Sequence, residues 1–173
     1  MSFIENLIHE FQHESAITRR VLERVPADNL TWKPHAKSMS IGELALHIPH
    51  ELKILAPTVL AGGYDFGTHV GVRQPASADE VLTTLNEAEN VVASTLRQLG
   101  DEGLQRTWNA TFKGAPYFSI PAAAFVRTVL LNHTYHHRGQ LSVYLRLLDI
   151  PVPAIYGPSA DEASFAVNTT ASA

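Results

Sequence analysis

The chain has 173 residues, 45% of them hydrophobic and 17% charged, a composition typical of one soluble globular domain with its own core. The formal net charge of −4 argues against a nucleic-acid partner, because nucleic-acid-binding surfaces are basic. There are no cysteines, which excludes disulfides, thiolate metal ligands and a cysteine nucleophile. No segment resembles a signal peptide or a membrane span, so we expect a cytoplasmic protein without a membrane partner.

The first predicted helix begins at Ser2, where the spacing to Glu5 matches a capping box, and closes near Pro26. It contains two histidines four residues apart, His9 and His13. Both project about 140° or more from the centre of the apolar stripe of this helix. We therefore expect them to face solvent, and they serve as a control for the same spacing elsewhere.

The second predicted helix starts near Ile41, after a capping box formed by Ser40 and Glu43. His47 lies at the edge of its apolar stripe, and His50 lies farther round the helix. If one histidine of this helix reaches the interior, we expect it to be His47.

A glycine-rich loop is predicted for residues 62–75, and its length is typical of a lid or a binding loop. We expect His69 in this loop to be exposed, with substrate contact as the weaker alternative. The third helix follows a capping box at Ser77 and stops at Gly100. Residues 106–120 alternate weakly around a Lys-Gly pair, which favours a short β-hairpin before the last helix.

The last predicted helix covers residues 121–149, which contain no internal proline and one glycine. His133 and His137 are four apart and lie within about 40° of each other on its surface. They fall on the apolar face that carries Val126, Leu130 and Leu141. His136 lies about 100° from His137, toward the rim of that face.

Two explanations remain for the buried histidine pair. Neutral imidazoles at this spacing can converge on a metal ion, or they can be core histidines satisfied by neighbouring hydrogen bonds. Spacing alone does not decide, because 9 histidines in 173 residues give about half of one such pair by chance. Four amphipathic helices indicate a four-helix bundle, and His47 would then supply a third nitrogen from a facing helix.

The chain resembles the DinB/YfiT-like family of proposed metalloenzymes, named after damage-inducible expression. The resemblance covers about residues 2–165 and is carried by residues 40–47 (SIGELALH), 133–140 (HTYHHRGQ) and 151–162. It implies an all-α, up-down-down-up four-helix bundle, often a homodimer, with residues 62–75 as a long crossover. It also implies that His47, His133 and His137 bind a divalent metal.

These considerations give one domain over residues 1–165 and a frayed tail over 166–173. Zinc and nickel are the favoured ions, with manganese and iron as alternatives, because all four accept imidazole ligands.

The resemblance does not specify a reaction: some relatives are thiol-dependent transferases or isomerases, and others are regarded as hydrolases. Glu43 and Glu51 lie one turn on either side of His47, so either could orient an imidazole or a water molecule. Tyr144 could donate to an oxyanion. The competing interpretations are capping for Glu43 and ordinary packing for Tyr144. Arg138 projects away from the core face, which favours a structural or interface salt bridge.

Three hypotheses follow. The favoured one is a metal-dependent enzyme, of hydrolase or thiol-transferase type, that acts on a small molecule. The second is a metal- or ligand-binding stress-response protein without turnover. The third is an interaction protein whose histidines are vestigial.

Overall fold

The computed structural model describes residues 2–163 and consists mainly of helices. Four long helical segments dominate, as predicted. The helices are α1 (Phe3–Leu22), α2 (Ile41–Leu55), α3 (Thr58–Ala61), α4 (Ala78–Gly103), α5 (Ala122–Phe125) and α6 (His133–Leu147). None of the helices in residues 2–163 is both long and apolar enough to cross a membrane. The predicted boundary between domain and tail, at residues 165 and 166, lies outside the described residues.

The helix starts follow the capping residues of the sequence. At Ser2 and at Ser40 both halves of the capping box form, which confirms those two predictions. At Ser77 only one half forms: the hydroxyl accepts a hydrogen bond from the Glu80 N–H at 3.2 Å. The Glu80 carboxylate accepts instead from the Ala76 N–H at 2.7 Å. The regular part of α4 ends at Gly100, whose φ of 60° and ψ of 177° favour glycine.

A small sheet of three strands corrects the predicted short hairpin. Strands β2 (Thr107–Phe112) and β3 (Ala115–Pro121) pair antiparallel, and β1 (Gly63–Asp65) pairs parallel to β2, giving the order β1-β2-β3. The strand β1 lies within residues 62–75, so part of the predicted loop is ordered in the sheet. The sequence did not reveal this pairing because β1 is only three residues long and its partner lies 46 positions away at Asn109.

The last helical segment is not a uniform α-helix. A π-helical stretch, Val126–Asn132, separates α5 from α6 and ends directly before His133. Such wide turns change the angular relation between residues before and after them, and they are frequent at functional sites. The helical projection that places residues 126–141 on one face is therefore only approximate.

The hydrophobic core consists of two clusters, one toward each end of the long helices. The first cluster lies beside the sheet and includes Ile4, Leu7, Phe11, Leu52, Leu55, Val92, Leu96, Trp108, Phe125 and Leu130. The second lies at the other end and includes Val21, Leu22, Ile41, Leu44, Ile48, Val81, Leu85, Leu141 and Leu145. Helices α1 and α6 thus run from the first cluster toward the second, while α2 and α4 run the opposite way. Because α2 and α4 run in the same direction, the connection between them must cross the length of the bundle.

Candidate metal centre

Three histidines converge inside the bundle, from α2 and α6. The Nε2 atom of His137 lies 3.1 Å from Nε2 of His47 and 2.8 Å from Nε2 of His133. When one ring nitrogen is taken from each of the three histidines, these nitrogens all lie within 4.8 Å of one another. The structure thus brings together the three histidines singled out from the sequence, and the cluster could hold a metal ion.

The position of the cluster follows from the two core clusters. On α2, His47 lies between Leu46 and Ile48 of the second cluster, five residues before Leu52 of the first. On the facing segment, His133 and His137 lie between Leu131 of the first cluster and Leu141 of the second. The imidazoles therefore fill the junction of the two apolar regions, where water is largely excluded.

Burial keeps the histidines neutral at physiological pH. It lowers the pKa of His47 from 6.5 to about 3, and the neighbouring His137 and His133 lower it further. It also lowers the pKa of His133 to about 4, again with repulsion from His137. The pKa of His137 is lowered by burial, partly offset by its hydrogen bond to Gln140. Neutral imidazole is the form that binds metals.

Oxygen atoms lie behind two of the rings, and the one behind His137 forms a hydrogen bond that orients its lone pair toward the centre. The Gln140 Oε1 atom lies 2.7 Å from Nδ1 of His137. An amide oxygen only accepts, so Nδ1 carries the proton and Nε2 presents its lone pair to the other histidines. The Glu51 Oε1 atom lies 3.5 Å from Nδ1 of His47 and stands in the corresponding place. Glu51 is buried, which raises the pKa of its carboxyl.

The other candidates from the sequence occupy different places. Glu43 caps α2: its carboxylate accepts from the Ser40 N–H at 2.7 Å, which lowers the pKa of Glu43. The Tyr144 ring packs edge-on against Trp32, with ring centroids 5.8 Å apart. Capping and packing therefore describe their observed contacts, and a catalytic role for Glu43, Glu51 or Tyr144 stays a prediction.

An open pocket of about 420 Å³ leads to the cluster from the side of His47. Its lining includes Lys33, Lys37, Met39 and Glu43 together with His47. Larger grooves of about 650 and 580 Å³ lie elsewhere on the bundle and are lined by none of the three histidines. A small molecule bound in the 420 Å³ pocket would therefore lie next to His47.

One prediction about an individual side chain was wrong. His69 is half-buried rather than exposed: its Nε2 atom lies 3.2 Å from Glu51 Oε1, and its Nδ1 atom lies 3.2 Å from the Tyr64 hydroxyl. The structural salt bridge predicted for Arg138 is confirmed, with Glu14 as its partner at 2.7 Å, and the arginine is 1% exposed. The apolar stripe of the sequence did not reveal that α1 buries Arg138 on a second face of α6.

Other predictions about histidines were correct. His9 and His13 of α1 are exposed, as expected for the control pair. His136 is exposed at the rim, with its ring centroid 4.9 Å from that of His137. Histidine pairs with the same spacing on α1 and α6 therefore lie in different environments, because the two pairs lie on different kinds of helix face.

Comparison with known proteins places this geometry in a family. A family model described as the DinB family matches residues 1–169. The uncharacterized protein YrdA of Bacillus subtilis (strain 168) is 24% identical over 164 residues, covering 92% of this chain and 91% of that protein. The uncharacterized protein YjoA of the same organism is 26% identical over 140 residues, covering 81% of this chain and 87% of YjoA.

Two solved structures share the fold. The crystal structure of the DinB-like protein YjoA from Bacillus subtilis superposes with a TM-score of 0.67 at 21% identity, covering 84% of this chain and 96% of that one. A DinB-like protein from Bacillus cereus ATCC 10987 gives a TM-score of 0.67 at 25% identity, covering 88% and 97% of the two chains. The match of the family model over nearly the whole sequence is decisive, and the chain belongs to the DinB family.

Proposed function

We propose that the protein binds one divalent metal ion through His47, His133 and His137, and that it is a metal-dependent enzyme acting on a small molecule. The main support is the convergence of three neutral imidazoles, His137 buried and the other two half-buried, whose nitrogens lie close together. Zinc or nickel is the favoured ion, and manganese and iron are the alternatives; all four accept imidazole ligands, and the ligand set alone does not choose among them.

The donor set fits such an ion. The Nε2 atom of His137 faces two other ring nitrogens at 2.8 and 3.1 Å, and Gln140 holds its proton on the opposite side of the ring. Without a cation, the ring nitrogens that face one another have too few protons to form hydrogen bonds between all of them. Three protein ligands are also the number found in catalytic zinc sites, where further positions stay open.

The reaction we propose is of the hydrolase or thiol-dependent transferase type. A divalent ion in this place supplies Lewis acidity, which polarises a carbonyl group and makes water or a thiol more acidic. The protein residues orient the ligands and exclude water, and the pocket beside His47 admits the substrate. Its volume of about 420 Å³ suits a small molecule rather than a polymer.

One observation favours an alternative without turnover. Glu51 lies on the Nδ1 side of His47, away from the point where the Nε2 atoms meet. Glu43 is engaged in capping α2, and its lowered pKa makes it a poor base. A metal- or ligand-binding protein of the stress response, which needs no general base, is therefore the second candidate.

We also propose that the protein forms a homodimer. The family resemblance supports this, as does an exposed apolar pair on α6, Val143 and Leu147, whose exposed fractions are 57% and 58%. Size-exclusion chromatography with light scattering measures the mass directly, and a mass of one chain at micromolar concentration would refute it.

A turnover screen tests the enzymatic proposal. Protein loaded with zinc or nickel is assayed against esters, amides and thiol conjugates, beside His133→Ala and the exposed control His13→Ala. We expect hydrolysis or thiol transfer that requires the ion, survives in His13→Ala and falls at least about 100-fold in His133→Ala. A metal-loaded protein inert toward every class would favour the binding function instead.

A further inference from the structure

Residues 63–69 bring two polar side chains to the rear of His47. Tyr64 lies in β1, and His69 follows the short 3-10 turn Phe66–Thr68. Asp65 ties this segment to the turn of the sheet, because its carboxylate accepts from the N–H groups of Gly67, Lys113 and Gly114, each at 2.8 Å. The segment is therefore fixed by β pairing and by three hydrogen bonds to one carboxylate.

A continuous run of polar atoms connects this segment with the histidine cluster. The Tyr64 hydroxyl lies 3.2 Å from Nδ1 of His69, and Nε2 of His69 lies 3.2 Å from Glu51 Oε1. The same oxygen lies 3.5 Å from Nδ1 of His47. It is buried and makes no well-aligned hydrogen bond to any residue within 2–163. Leaving such a buried acceptor unpaired is unfavourable, and the two imidazole nitrogens within reach can satisfy it if they carry hydrogen.

With both imidazoles neutral and Glu51 ionised, one arrangement of protons satisfies every contact in this run. An ionised carboxylate accepts and does not donate, so the ring nitrogens of His47 and His69 that face Glu51 both carry hydrogen. Nδ1 of His69 is then bare and accepts the proton of the Tyr64 hydroxyl. Nε2 of His47 is bare as well, and it points toward His137. This arrangement leaves the lone pair on Nε2 of His47 free to bind a metal ion.

We infer that Glu51, His69 and Tyr64 are positioning residues that fix His47 as a metal ligand, which makes the small sheet part of the metal centre. This inference rests on the proposed metal binding and adds the residues that support it. Glu51 faces Nδ1 of His47, on the opposite side of the ring from the Nε2 atom that meets His137, so its role is to orient His47. His69, in the connection that follows β1, therefore contacts Glu51 of α2 and links the sheet to the metal centre.

Metal affinity in the full-length chain tests the inference. The affinity for Co²⁺ is measured by competition with a chelator for the wild type, His69→Leu, His69→Gln and the exposed control His9→Leu. Loss of a residue that orients a ligand typically lowers metal affinity about 10-fold to 100-fold, which we expect for His69→Leu. His69→Gln keeps an N–H donor and should stay within about 3-fold of the wild type, as should His9→Leu.

A double-mutant cycle separates positioning from a general effect on folding. In a Glu51→Leu background, adding His69→Leu should lower Co²⁺ affinity by less than about 2-fold, because the connection runs through Glu51. Melting of the metal-free variants shows whether each still folds.

Three outcomes overturn the inference. Wild-type affinity in His69→Leu is one, and equal losses in His69→Leu and His69→Gln are another. The third is a full additional loss on adding His69→Leu to Glu51→Leu. If the wild type binds no ion, the proposed function fails as well. If the wild type binds, His47→Ala does not and the His69 variants are unaffected, the positioning role alone fails.

Discussion

Arg138, the residue after a proposed metal ligand, offers a sharp test of the packing around α6. Its guanidinium is 1% exposed and lies 2.7 Å from the Glu14 carboxylate of α1. It also donates to the Glu14 carbonyl at 3.1 Å and to the Thr18 hydroxyl at 3.2 Å. Tyr156, from the segment after α6, donates to the same carboxylate at 2.8 Å. One arginine thus joins α1, α6 and the segment that follows α6.

Replacing Arg138 by leucine leaves the Glu14 carboxylate with Tyr156 as its remaining partner. Removal of one member of a buried ion pair costs about 3–5 kcal/mol in the free energy of unfolding. We expect the lower end, about 3 kcal/mol, because the Tyr156 hydroxyl still donates and the Glu14 side chain is 11% exposed. For a domain of this size that loss lowers Tm by roughly 6–12 °C.

Urea unfolding of the metal-free protein measures the effect. The matched control is Arg146→Leu on the same helix, where the pair with Asp161 is exposed at 48% and 28% and should contribute less than about 1 kcal/mol. If Arg138→Leu lost no more stability than Arg146→Leu, the buried pair would not hold α6 against α1.

Three further predictions concern the site and the core. The folded pKa values of His47 and His133, about 3 and about 4, lie below the ordinary value of 6.5, so stability is complete above pH 6.5 and declines below it. At pH 5, allowing for solvent screening, we expect a loss of about 1 kcal/mol per histidine in urea unfolding of metal-free protein; an unchanged midpoint between pH 7 and 5 would contradict this. Gln140→Leu should weaken Zn²⁺ binding about 10-fold in a chelator competition, whereas the exposed control Gln105→Leu should not. Trp108→Ala should cost about 3–5 kcal/mol in urea unfolding, because its buried ring stacks on Phe125 at 4.2 Å; a loss below about 1 kcal/mol would contradict this.

Local patterns in the sequence were sufficient for the four long helical segments and for the inward direction of His137. The starts of α1 and α2 follow from side chains three residues apart, and each capping box depends only on its own four residues. The inward direction of His137 follows from the helical repeat together with the apolar residues around it. Pairing it with His47 additionally needed a bundle architecture, which four amphipathic segments indicate.

Features set by contacts distant in the sequence could not be predicted in this way. The parallel pairing of β1 with β2 depends on partners more than forty residues apart. The π-helical stretch Val126–Asn132 carries no proline or glycine to mark it. The salt bridge of Arg138 was predicted but its burial was not, because an apolar stripe shows one buried face, whereas α6 packs against α2 on one side and α1 on another. His69 was misplaced because its burial is created by Glu51 of α2 and Tyr64 of β1, which are distant from each other in the sequence.

The metal content of protein purified without a histidine tag, nickel column or added metal shows whether His47, His133 and His137 bind an ion. Elemental analysis should find about one divalent ion per chain in the wild type and in the control His13→Ala, because one three-histidine cluster is present in the described residues. The same measurement on His137→Ala should find less than about a tenth of that amount. Equal metal content in the wild type and His137→Ala would contradict the account, as would a wild type that takes up no zinc or nickel when either is supplied.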